Sequence, residues 1–111
     1  MCNNLKPTQL GRGGKALSRD VINTRVEYYI ENKLHTTKKK LKVSDRQDII
    51  IVLVEKFEYN VPELMKLLGR SRSVIYQDIG NAYFFQKRFK SRKEHADNIY
   101  SYILYNAKYI S

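Results

Sequence analysis

Cysteine, tryptophan, proline and carboxylate are all scarce in this chain of 111 residues. The only cysteine, Cys2, cannot form an intramolecular disulfide or a cysteine-based zinc site within one chain. The longest apolar run, residues 49–54, falls far short of the roughly 20 residues that span a bilayer. The polar N-terminus has no apolar centre of the kind a secretory signal needs, so no membrane partner is expected and a reducing cytoplasm is the expected compartment. Asp and Glu total 11 against 21 Lys and Arg, a formal net charge of +10. That imbalance asks for a polyanionic partner, which nucleic acid, an anionic membrane surface or an acidic protein would each satisfy.

Chemistry-bearing constellations are equally thin. His35 and His95 are the two histidines, far apart in sequence, and neither has an acidic neighbour at metal-ligand spacing. Each reads as a lone surface histidine. Asp45 and Asp48 with Glu55 or Glu58 resemble a nuclease metal cluster only loosely, and carboxylates at a helix N-terminus explain the pair more simply. Gly11, Gly13 and Gly14 precede Lys15, but their spacing is wrong for a phosphate loop and no strand leads into them. The expectation is a binding protein and not an enzyme, with no cofactor, metal or small-molecule ligand.

The chain's length suits one domain with a single core. Residues 1–15, with Pro7, three glycines and Lys6, Arg12 and Lys15, read as a flexible basic arm, and 16–111 as the domain. Apolar periodicity predicts an all-α fold of about five helices. Ser18 caps a helix to about Leu34, with Ile22, Val26, Tyr29 and Ile30 on one side. Residues 35–43 carry Lys38, Lys39 and Lys40 without a helical stripe and read as a basic loop or short ribbon. A Ser44/Gln47 capping box opens a helix to about residue 57 or 59, whose apolar stretch from 49 to 54 marks it as the central core helix.

Residues 60–79, NVPELMKLLGRSRSVIYQDI, predict two helices joined by a tight turn. Asn60 and Glu63 form a capping box, Pro62 suits the first turn, and Leu64, Leu67 and Leu68 make one apolar stripe. Gly69 then ends the helix, because a left-handed residue past a helix end is cheap only for glycine. Ser71 or Ser73 caps the next helix, which runs to about Phe89. Its inward face is expected to be Ile75, Ile79, Ala82 and Tyr83, leaving Arg72, Ser73, Tyr76, Gln77 and Gly80 outward.

The spacing of Leu64, Met65 and Leu68 before Gly69, with Ile75 after it, resembles the helix-turn-helix of bacterial, phage and plasmid DNA-binding proteins. The resemblance covers about one fifth of the chain by that two-helix unit. It implies double-stranded DNA as partner, with helix 72–89 in the major groove and Arg72, Ser73, Tyr76 and Gln77 near base edges. Arg70, swung outward, would then join Ser71, Lys38, Lys39, Lys40, Lys87 and Arg88 on phosphates. Tasks of that family range from transcriptional regulation to plasmid or phage replication, partition and transfer.

A Ser91/Glu94 capping box opens a last helix to the end of the chain, with Ala96, Ile99, Ile103, Ala107 and Ile110 at helical spacing. Tyr102, Tyr105 and Tyr109 form a second stripe, and a helix with two apolar faces needs two covers. A homodimer using Ile99, Tyr102, Tyr105 and Tyr109 is therefore expected, ordinary intramolecular packing being the alternative. Two other classes remain open on sequence: an RNA-binding protein, and an adaptor that docks the tyrosine-rich terminal helix on an acidic partner.

Overall fold

Five helices follow one another in the computed structural model, which describes residues 17–105: α1 (Arg19–Asn32), α2 (Val43–Phe57), α3 (Val61–Leu68), α4 (Arg72–Arg88) and α5 (Lys90–Tyr105). The expected arm at 1–15 and the tail with Ala107, Tyr109 and Ile110 lie outside the described residues. There is no strand among the described residues; residues 35–42 are loop, not ribbon, and Val43 already belongs to α2. A turn closed by Lys40 N–H on Thr37 O, at 3.1 Å, shapes that loop, and buried Leu41 anchors its exit.

α2 sits at the centre because its apolar run covers most of its circumference. Ile49, Ile50, Ile51, Val52 and Leu53 are all buried, and the helix packs against both α4 and α5. α3 packs on α4, and α1 on α5. Ile22, Val26 and Ile30 of α1, Leu64 and Leu68 of α3, Ile75 of α4, and Ile99 and Ile103 of α5 complete one continuous core.

Helix ends follow local chemistry where nothing competes for the capping side chain. Ser18 Oγ accepts from Val21 N–H at 3.2 Å. Asn60 Oδ1 accepts from Glu63 N–H while Glu63 Oε1 accepts from Asn60 N–H, both at 2.9 Å, completing the capping box. Two expected boxes do not form. α2 begins at Val43 with no side-chain cap, because Gln47 is buried and spends its amide on other helices. α5 begins at Lys90, leaving Ser91 inside it, because only Phe89 separates α4 from α5 and its carbonyl accepts from Arg92 and Lys93 N–H.

Charged side chains also brace the helices. Arg25 is buried and donates to the Ile103 and Leu104 carbonyls at 2.5 and 3.3 Å, a cation set on the last turn of α5. Arg19 joins α1 to the α2–α3 connection through Phe57 O, Glu58 O and Glu63 Oε2. The Asn60 N–H and Arg19 bonds hold the Glu63 carboxyl below its ordinary pKa.

Candidate nucleic-acid interface

α3 stops at Gly69, whose φ of +65° and ψ of 40° are left-handed and whose N–H returns to Met65 O at 2.8 Å. Two residues later Ser71, in extended conformation, caps α4 by accepting from Val74 N–H at 3.4 Å. The connection is thus the three residues Gly69, Arg70 and Ser71.

The start of α4 stands in solvent. Arg72, Ser73, Gln77 and Gly80 are exposed, and Tyr76 is 56% exposed. No acidic residue lies in the first turn. The helix's only carboxylate, Asp78, points the other way and is buried. The inward face differs from expectation at two positions: Ile75 and Ala82 are buried and Ile79 half-buried, but Tyr83 is 39% exposed and Asp78 takes an interior place. Tyr83 leans sideways, its hydroxyl donating to the Glu55 carboxylate of α2, which raises the phenol's pKa.

Arg70 does not swing out. Its Nη2 donates to the carbonyls of Lys38 and Lys39 at 3.1 and 3.0 Å, so the α3–α4 turn and the lysine loop lie within one arginine's reach. The structure thereby ties segments about thirty positions apart: the loop carrying exposed Lys39 and Lys40 is bonded through Arg70 to the turn that leads into exposed Ser71 and Arg72. Lys38 is a partial exception, since its Nζ pairs with Glu27 at 2.9 Å. Lys87 and Arg88 are exposed but lie near the other end of α4, about 22–24 Å along the axis from Arg72 at 1.5 Å per residue. They belong to a different patch.

Behind the exposed face, α4 is held by charge. Arg46 of α2 grips Asp78 side-on, Nε to Oδ2 at 2.5 Å and Nη2 to Oδ1 at 3.3 Å, both side chains almost wholly buried. Gln47 reaches the same carboxylate and accepts from Arg92 Nη2 at 3.0 Å. Arg92 in turn pairs with buried Asp48 at 3.0 and 3.2 Å. His95 Nδ1–H donates to Asp48 Oδ2 at 2.8 Å, and its Nε2 stands 3.0 Å from the Tyr29 hydroxyl. One polar seam therefore ties α1, α2, α4 and α5 together.

That seam corrects the expectation for His95 and Asp48. His95 is a half-buried partner of Asp48 and not a lone surface histidine, and its pKa is raised first by that hydrogen bond. Asp48 is interior, so capping does not explain it. Burial, and secondarily the nearby Asp45 and Asp48 carboxylates, push the Tyr29 phenol up to about 12. No cluster of three or more His, Cys, Asp or Glu side chains suited to a metal ion occurs among the described residues. No described helix is long and apolar enough to cross a membrane.

The expected dimer stripe is largely consumed by the fold. Ile99 is 1% exposed within the chain's own core, so it cannot face a second copy. Tyr102 is half-buried, edge-on to Tyr29 at 5.1 Å between ring centroids. Tyr105 is 70% exposed, and Tyr109 lies outside the described residues. No protein-family model, curated protein or solved structure matches this chain.

Proposed function

We propose that this chain binds double-stranded DNA sequence-specifically, inserting the N-terminal half of α4 into the major groove. The observation that carries this reading is the Arg70 clip. It ties the loop of Lys39 and Lys40 to the turn before an exposed, carboxylate-free helix start, which supports one surface for base reading and phosphate grip.

The roles divide by side-chain chemistry. Arg72 offers a planar fork suited to guanine O6 and N7, and Gln77 an amide suited to adenine N6 and N7. Ser73 and Tyr76 supply shorter hydroxyl contacts from the same face. Ser71, Lys39 and Lys40 take phosphates and set register, helped by the free N–H groups and positive dipole end of α4. Gly69 makes the turn tight enough to bring these parts together. The Arg46–Asp78 pair fixes the rotation of α4 about its axis, keeping Tyr76 and Gln77 outward.

Among the four residues expected at a homodimer interface, Tyr105 alone is well exposed within the described part of the chain. Each copy's α4 would read one half-site, and a homodimer would present two such helices to a repeated operator. Selection from a random duplex library at fixed salt tests the proposal. A consensus of a few base pairs that loses definition with Arg72→Ala supports it. Uniform recovery of all sequences, or preferential retention of structured RNA in competition, refutes it.

A further inference from the structure

The far end of α4 carries a second surface that the duplex reading does not use. Phe84 and Phe89 are each 50% exposed, and neither belongs to the core nor packs against it. Phe85 links them, with ring centroids 5.2 Å from Phe84 and 5.9 Å from Phe89. The Arg88 guanidinium lies 4.5 Å from the Phe84 centroid. Beside them is a shallow depression of about 410 Å³ lined by Tyr83, Phe84, Lys87 and Arg88. Large half-exposed rings give up hydrophobic stabilisation unless something covers them, and core packing does not.

Charge selects the occupant. Lys87 and Arg88 make no ion pair among the described residues, and the one carboxylate of α4 is already bound to Arg46. A second copy laid on this patch would set Lys87 and Arg88 against their own counterparts. The surface instead matches a ligand that alternates flat apolar faces with regular negative charge. Duplex DNA supplies the charge but keeps its base faces stacked inside. A single strand offers both.

We propose that Phe84 and Phe89, with Lys87 and Arg88, bind a single-stranded nucleic-acid segment, bases stacking on the rings and phosphates meeting the two cations. The patch lies on the helix that carries Gln77, about 10 Å further along for Phe84 at 1.5 Å per residue. A strand leaving a duplex held at Tyr76 and Gln77 would therefore meet it. The inference rests on α4 being the nucleic-acid helix, and deepens that reading from duplex to duplex–single-strand junction.

Fluorescence anisotropy of the full chain separates the cases with three probes sharing one selected duplex: blunt-ended, with a short oligothymidine tail, and with an abasic tail of equal phosphate count. The base-bearing tail should bind about tenfold more tightly than the abasic one, the lower range of one stacked base. Phe84→Ala and Phe89→Ala should each erode that advantage while leaving blunt-duplex affinity and the thermal midpoint unchanged, and Phe84→Tyr should restore it. Equal binding of the two tails overturns the inference, as does a Phe84→Ala loss that is the same on blunt and tailed probes. So does Phe84-dependent capture of an acidic amphipathic peptide without any preference for the base-bearing tail. If the blunt duplex fails to bind but free oligothymidine binds in a Phe84-dependent way, the duplex reading falls and the stacking patch stands.

Discussion

Arg70 holds Lys39 by its backbone: the guanidinium Nη2 donates to the Lys39 carbonyl at 3.0 Å, and to that of Lys38 at 3.1 Å. The Lys39 and Lys40 side chains stay exposed while their loop is fixed to the turn before α4. Replacing Arg70 with Met keeps an apolar stem and removes the fork. The expected stability loss is about 1–2 kcal/mol, at the low end for charged hydrogen bonds because the group is half in water. Duplex affinity should fall on every sequence alike, with the preferred sequence unchanged. Denaturant melts and anisotropy on selected and scrambled duplexes check both parts.

Asp78 and Arg46 should behave as a unit. Asp78→Leu alone strands a buried guanidinium and is expected to destabilise the fold by about 3–5 kcal/mol. The double replacement Arg46→Met with Asp78→Leu removes both charges and should recover most of that loss. Equilibrium urea unfolding of the two single variants and the double completes the cycle.

Much of the helical framework was legible locally. The Asn60/Glu63 box, the Gly69 stop, a cap at Ser71 or Ser73 and the apolar stripes of Ile22, Val26 and Ile30 are interactions within a turn or two, which sequence spacing encodes. The polar seam was not legible, because its members meet across long separations: His95 finds Asp48 at a distance of 47 positions, and Arg46 finds Asp78 at 32. The same tertiary demand drew Gln47 away from its expected cap. It also seats Asp78 inside and leaves Tyr83 39% exposed, against the apolar pattern of the helix. In the site, the outward positions 72, 73, 76 and 77 followed from the helical period. The inward turn of Arg70 did not, since only the folded loop supplies its two carbonyls.

His95 should make stability depend on pH. Its folded pKa lies above the ordinary 6.5 because Asp48 accepts from Nδ1, with the Asp45 and Asp48 charges adding and burial and Arg92 opposing. The contribution is therefore complete below about the unfolded value near 6.5 and is lost as pH rises through the folded value. Tyr29, across the ring, stays neutral over this window because its pKa is about 12. Urea midpoints should decline from mildly acidic to alkaline pH in the native chain, and His95→Gln should flatten that trend.

Two glycines should respond oppositely to alanine. Gly69 has φ of +65° and open space around an added Cβ, so only backbone strain opposes Gly69→Ala, an expected loss of about 1–2 kcal/mol. Gly80 lies within α4, also with nothing near an added Cβ, and Gly80→Ala should stabilise by about 0.5–1 kcal/mol. Thermal melts of the two variants read the sign directly.

The most direct measurement is the slope of log binding constant against log salt for the selected duplex, taken for the native chain, Arg72→Ala and the Lys39→Ala/Lys40→Ala pair. Losing two phosphate contacts should reduce the slope by about 1.8 and weaken binding to all sequences, while Arg72→Ala should cost about 1–3 kcal/mol on the preferred sequence and little on a scrambled one. Identical losses from both changes on both duplexes would contradict the division of reading and grip between α4 and the loop that Arg70 holds against it.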